Sequence, residues 1–312
     1  MEMTVVLPRA NYLGGAEHQL LLIAEALDWL LDIARVRVLA TPNQKSEVER
    51  YLTNDILRFT DCEFLDHVTR QTDLLLCDIT SSWALGLCDS DLTIMHIGTP
   101  PHFASEGWCL LRPVDLAITH YRPEYVRKCL RGEVKHILQY YHLVGKQFWD
   151  AFYVRRDIRT LCFISRAQGV RAVALQSVYE SWRDMARNQN LKVCTIGFAL
   201  EGCETFGEIF WGDMGKVLAH CDLVLTPLAG SHIVEAAATG CLVGGIDLGW
   251  LTIPDFVFFR CEKTRLPRID NSIIEGRAIP WVSMHNYGVL KREHQNFTLN
   301  LHRWLYDHFI RS

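Results

Sequence analysis

The chain carries no surplus of positive charge. Its 32 lysines and arginines against 36 aspartates and glutamates leave a formal charge of −4. That excludes the broadly basic surface with which sequence-independent nucleic-acid binding displaces phosphate counterions. A long apolar run is missing as well. The longest apolar region, Leu20 to Ala34, is interrupted by Glu25, Asp28 and Asp32. It falls short of the roughly 20 residues that a bilayer span requires, and it reads as an amphipathic helix. Met1-Glu2-Met3 leads into a short strand and not into a basic segment with an apolar core, so no secretory leader is expected. There is no internal repeat, low-complexity tract or long run of one charge, which excludes fibrous and disordered classes. The eleven cysteines, scattered from Cys62 to Cys261, never take a Cys-x-x-Cys spacing, so neither a disulfide framework nor a metal site is expected. Cys77, Cys162 and Cys194 fall inside strand-like runs, where a thiol packs as a small apolar side chain. A reducing, cytoplasmic location follows as an expectation.

What is present is an alternation of short apolar runs with helical patterns. Strands are predicted near 4–7, 36–40, 74–78, 92–96, 115–119, 161–165, 192–196, 222–225 and 242–246, the signature of parallel sheets covered by helices. With 312 residues the chain suits two domains. The strand series breaks near 140–158, a stretch that includes the charged Arg155-Arg-Asp157; this places the hinge there and predicts domains 1–148 and 149–312. The tail after Arg265 reads as loops ending in an amphipathic segment from His294 to Ile310, with Phe297, Leu301, Trp304, Leu305 and Phe309 at helical spacing.

Ligands of parallel sheets bind beyond the carboxyl ends of strands, so Asn11, Asp78, His96, Thr119, Arg166, Gly197 and Gly230 are the positions of interest. Two of these places carry glycine turns that open helices. Near the start, Thr4-Val5-Val6 breaks into Gly14-Gly15 and then an apolar helix. Later, Cys221-Asp-Leu-Val-Leu-Thr-Pro-Leu-Ala-Gly230-Ser231-His232 opens an alanine-rich helix that Gly240 ends. The first backbone N–H groups of a helix lack intrahelical partners and sit at the positive end of its dipole, so a phosphate can approach where side chains are absent. Glu235, five positions after Gly230, is placed to accept two ribose hydroxyls while the loop holds phosphate. Two such loops on two α/β halves suggest one nucleotide bound between them.

These residues carry a resemblance. Gly14-Gly15-Ala16-Glu17 followed by Leu20-Leu21 and Ala24 to Leu27 resembles the start of GT-B glycosyltransferases, particularly the retaining family 4 type. Phe163-Ile164-Ser165-Arg166, Ile196-Gly197, Trp211-Gly212, Asp222 to Pro227 and Glu235-Ala-Ala-Ala-Thr-Gly240 follow in the same order. The resemblance implies an α/β fold of two Rossmann-like domains facing a cleft, with a terminal helix crossing back. It implies transfer of a sugar from a nucleotide-sugar, with retention of configuration and without metal or cofactor. Asp89-Ser-Asp91 precedes a predicted strand and reads as a turn, in keeping with that absence of a metal motif. Gly14, Gly15, Gly230, Ser231, His232 and Glu235 are then expected to bind the donor, and Glu17 and His18 the acceptor or sugar. Arg166, Arg171 and His96 are the expected catalytic residues. The arginines would meet the charge that develops on a departing diphosphate; His96 lies in a strand-end loop that also holds His102.

The chain departs from family 4 at two points. Eight positions before Glu235, where a second glutamate is usual, stands Pro227. The usual basic pair keeps Arg166, with Arg171 as a substitute for the lysine. Two other readings stay open: a nucleotide-sugar 2-epimerase and a non-catalytic binding module. The acceptor, whether saccharide, lipid, protein or modified nucleic acid, is not legible in the sequence.

Overall fold

The computed structural model describes residues 1–8, 10, 13–99, 108–165, 170–228, 230–247, 253–266, 268–269, 273–274 and 276–310. They cluster into two units, one of Met1–Leu143 with the chain from Glu293 onward, the other of Val144–Arg292.

In the first unit β1 (Glu2–Val6) leads to α1 (Gly15–Leu31), β2 (Arg35–Leu39), α2 (Pro42–Thr53), β3 (Cys62–Leu65) and β4 (Gln71–Asp78). A 3-10 segment (Ile79–Gly86) connects to β5 (Asp89–Ile97), followed by β6 (Trp108–Cys109), β7 (Val114–Thr119), α3 (Pro123–Cys129), β8 (Leu130–Arg131) and β9 (Val134–Gln139). Seven of these strands form one parallel sheet in the order β3-β2-β1-β4-β5-β7-β9. Leu74, Leu75, Leu76 and Cys77 of β4 are all fully buried, as expected of a strand covered on both faces. α1 buries Leu20, Leu21, Ala24 and Leu27, one helical face, and ends at Asp32, whose φ of 48° is left-handed.

The second unit runs α4 (Lys146–Asp150), β10 (Thr160–Ile164), α5 (Val170–Arg187), β11 (Lys192–Ile196), β12 (Glu204–Thr205), α6 (Trp211–Leu218), β13 (Leu223–Leu228), α7 (Ser231–Ala238) and β14 (Leu242–Asp247). It continues with β15 (Phe259–Arg260), β16 (Ile273–Ile274), β17 (Arg277–Ala278) and the start of α8 (Ile279–Leu305), whose residues from Glu293 belong to the first unit. Its six-stranded sheet has the order β12-β11-β10-β13-β14-β15 and is parallel throughout. Phe163, Tyr179, Trp182, Leu223 and Leu225 anchor its core.

Three details differ from the sequence expectation. Asp89-Ser-Asp91 is the start of β5, paired with Gln71 and Thr72, and not a turn; His96 lies within the same strand and does not follow it. The edge strands β3, β9, β12 and β15 carry too little apolar patterning to stand out. The tail is helical from Ile279, because Pro280 sits in the first turn, where its missing N–H has no intrahelical partner to lose. In the part of α8 that belongs to the first unit, Leu301 and Leu305 are fully buried, and Phe297 packs against Tyr140 with ring centroids 5.4 Å apart.

Candidate functional site

In the second sheet the strand order reverses between β10 and β13. In doubly wound sheets the crevice beyond the carboxyl ends of such a strand pair is where ligands bind. β10 leads through Ser165 to α5, and β13 leads to Gly230 and α7. Gly230 caps α7 with extended backbone (φ −157°) that any residue adopts. A Cβ there would stand 2.6 Å from the imidazole of His232, which folds back over the cap, so a larger residue would displace that ring. Gly230, Ser231 and His232 therefore share one helix N-terminus. Glu235, one turn further along, is buried and its Oε1 accepts a hydrogen bond from Trp211 Nε1 at 3.0 Å. Trp211 opens α6 and packs edge-on against Phe148, so the carboxylate is oriented from a second helix.

Tyr179 of α5 reaches the same place. Its hydroxyl donates to the Ile164 carbonyl at 3.4 Å, at the end of β10 and beside Ser165 and Thr226, and burial pushes its pKa up to about 12. Arg166 lies outside the described residues, as does His102. Arg171 is the second residue of α5, with its side chain outside the described set.

The first unit holds the remaining candidates. Gly14 caps α1 and Gly15 begins it. Glu17 turns back so that its Oε2 accepts the Gly14 N–H at 2.8 Å, satisfying one of the helix's orphan donors. His18 is buried with Nε2 2.8 Å from Tyr51 Oη, and that hydroxyl also bonds Glu47. His96 is fully buried. Its Nδ1 lies 2.9 Å from Asp78 Oδ2 and its Nε2 2.8 Å from Tyr140 Oη, while Asp78 Oδ1 accepts from the backbone and hydroxyl of Thr80. This network ties together the carboxyl ends of β4, β5 and β9 around the ring of His96. Gly98 serves it sterically, since a Cβ there would lie 2.2 Å from His96 Cε1. Beside this network His120 stacks on His142 at 4.7 Å; burial, then the neighbouring His142 and His96, hold its pKa well below 6.5.

Sequence reasoning missed the partners of these residues: Trp211 as the orienter of Glu235, Tyr179 at the strand ends, and Asp78 with Tyr140 around His96. It also placed Arg155 in a charged hinge. The structure buries Arg155, whose guanidinium donates to the carbonyls of Cys221 (2.8 Å), Leu218 (3.0 Å) and Tyr153 (3.1 Å). The sequence marks Asp78 as a strand-end position and Trp211 as part of the resemblance, though not their partners; for Tyr179 and Tyr140 it carries no signal.

No protein-family model matches the chain, and no curated protein matches it. Solved structures do, over nearly their whole length. A glycosyltransferase from Rickettsia africae ESF-5 superposes with a TM-score of 0.62 at 10% identity, covering 97% of each chain. The DNA-modifying enzyme beta-glucosyltransferase, solved in the presence and absence of its substrate uridine diphosphoglucose, gives 0.52 at 9% identity, covering 98% of this chain and 99% of the other. The glycotransferase of kitacinnamycin gives 0.52 at 11% identity, covering 98% of both. The chain therefore has the mixed α/β fold, with parallel sheets, of GT-B glycosyltransferases. Among the described residues no helix is long and apolar enough to cross a membrane.

Proposed function

We propose that the protein is a glycosyltransferase that takes a sugar from a nucleotide-sugar held by the second unit at the β10/β13 switch point. The observation that carries this reading is the glycine-capped N-terminus of α7 in that position, with the buried carboxylate of Glu235 oriented by Trp211 one turn behind it. The N-terminus of α7, at the positive end of the helix dipole, suits a phosphate. Glu235 is the acceptor for ribose hydroxyls, and Ser231 and His232 line the phosphate and sugar side. Arg166 and Arg171, following β10, meet the charge of the leaving diphosphate, so the reaction needs no metal ion or cofactor. Gln147 of α4 adds support. Both its side-chain amide atoms are buried without a hydrogen-bond partner among the described residues, and α4 packs on α6 and α7. Such a group gains what it lacks when a sugar hydroxyl arrives.

Transfer with retention of configuration is the course we favour. Inversion by in-line displacement needs a general base within reach of the acceptor hydroxyl. Of the three bases the sequence offers, Glu17 caps α1, His18 is bonded to Tyr51, and His96 is held between Asp78 and Tyr140.

A thermal-shift panel of nucleoside diphosphates and nucleotide-sugars tests the reading, because a ligand that binds only the native state raises apparent stability. One nucleotide is expected to raise the unfolding temperature, and its sugar conjugate is expected to be consumed only with an acceptor. Consumption without acceptor to give an epimeric nucleotide-sugar would assign the fold to epimerase chemistry. No shift with any nucleotide would remove the nucleotide site.

A further inference from the structure

The second sheet contains a sulfur cluster separate from the carboxyl-end site. Cys162 and Cys194 are register partners on β10 and β11, so their side chains share one face of the sheet. Cys221 comes from the connection between α6 and β13, with its Sγ 3.7 Å from the Val217 carbonyl of α6. All three side chains are buried, and their Sγ atoms lie within 4.8 Å of one another, with Cys194 and Cys221 at 3.9 Å. Glu235 and the cap of α7 follow the carboxyl end of β13, whereas Cys221 precedes its amino end.

We propose that Cys162, Cys194 and Cys221 form a three-coordinate thiolate site for a soft metal ion, with Cu(I) as the ion it fits. Metal–sulfur bonds of about 2.3 Å place three sulfurs about 4 Å apart around an ion in their plane, close to the separation observed. Structural Zn(II) sites close with four ligands. Among the described residues no fourth cysteine, histidine or carboxylate joins this group. Thiolates without a fourth ligand favour the softer Cu(I).

One positive charge stands nearby. Three thiolates around Cu(I) leave two negative charges, and the buried guanidinium of Arg155 donates to the backbone carbonyl of Cys221 at 2.8 Å and to the Sγ of Cys241 at 3.4 Å, offsetting part of them. The nearest carboxylate to that guanidinium among the described residues, Asp222, is 3.9 Å from Nε. On loading, three S–H groups release their protons to solvent and three S–Cu bonds form. Copper enters and remains as Cu(I), so no electrons are exchanged. The ion would clip β10, β11 and the start of β13 together.

The test is anaerobic titration of the full, reduced chain with Cu(I) against a chromogenic Cu(I) chelator. One ion per chain is expected, with an ultraviolet thiolate-to-copper band and a higher unfolding temperature. Cys194→Ala should weaken binding at least a hundredfold, whereas Cys62→Ala should leave it unchanged. X-ray absorption on the loaded wild type needs no variant and should count three sulfurs at about 2.3 Å. Binding that survives Cys194→Ala, or a shell of two sulfurs, would overturn the site. So would preference for Zn(II) with a fourth ligand, or loss of two free thiols as a disulfide without bound copper.

Discussion

Replacing Glu235 by glutamine separates a binding role from a folding role. The side-chain oxygen that accepts the Trp211 N–H at 3.0 Å has a counterpart in the amide, so the bond between α6 and α7 survives. Removing a buried charge should then alter stability by less than about 1 kcal/mol. The nucleotide should feel the change far more. Hydrogen bonds to a charged acceptor contribute roughly 1.5–3 kcal/mol against roughly 0.5–1.5 for a neutral one, so weakening one or two ribose contacts gives a loss of about 1–3 kcal/mol. That is roughly a fivefold to 150-fold rise in Kd. Calorimetric titration with the nucleoside diphosphate selected by the panel, run beside thermal unfolding of the free protein, measures both quantities. Trp211→Phe is the complementary perturbation. It keeps the carboxylate but strips its donor, and should cost about 1–3 kcal/mol of stability with a smaller loss of affinity. Equal nucleotide affinity in wild type and Glu235→Gln would refute the ribose assignment, as would a large drop in stability with binding unchanged.

Arg155→Met keeps the buried stem but leaves the carbonyls of Tyr153, Leu218 and Cys221 without their shared donor; a loss of about 3–5 kcal/mol is expected in urea unfolding, and a loss below about 1 kcal/mol would show the cage to be dispensable. Gly98→Ala drives a methyl group against the locked ring of His96 and should cost roughly 1–3 kcal/mol, measured the same way; a neutral result would mean the ring moves freely. His120 stays neutral in the fold because of burial and its histidine neighbours, while the unfolded chain takes up its proton below about pH 6.5, so stability should fall with decreasing pH at a slope approaching 1.4 kcal/mol per unit. His120→Asn should remove that part of the slope between pH 7.5 and 5.5, and identical slopes in both proteins would exclude it. Proton NMR of the new glycosidic linkage, read before mutarotation, should show the donor's anomeric configuration; an inverted product lost in His18→Ala would transfer the role of base to His18.

The alternation of apolar runs and helical patterns determined the parallel α/β class by itself, because strands such as Leu223 to Leu225 are apolar on both faces and can be buried only between helices. The spacing from Gly230 to Glu235 was legible for a similar reason: cap and carboxylate lie on one short helix, and a helix converts sequence distance directly into position. What the tertiary structure alone decided are relations between residues on different elements. Trp211 meets Glu235 because α6 and α7 flank β13. His96 meets Asp78 and Tyr140 because β4, β5 and β9 end together in one sheet. Arg155 looks like a hinge charge until the loop around it folds its carbonyls onto the guanidinium. Cys162, Cys194 and Cys221 look like scattered core thiols until strand order brings β10 between β11 and β13. Periodicity records which face of an element is buried, but it holds no information about which other element supplies the facing atoms; that choice is made by the order of the strands.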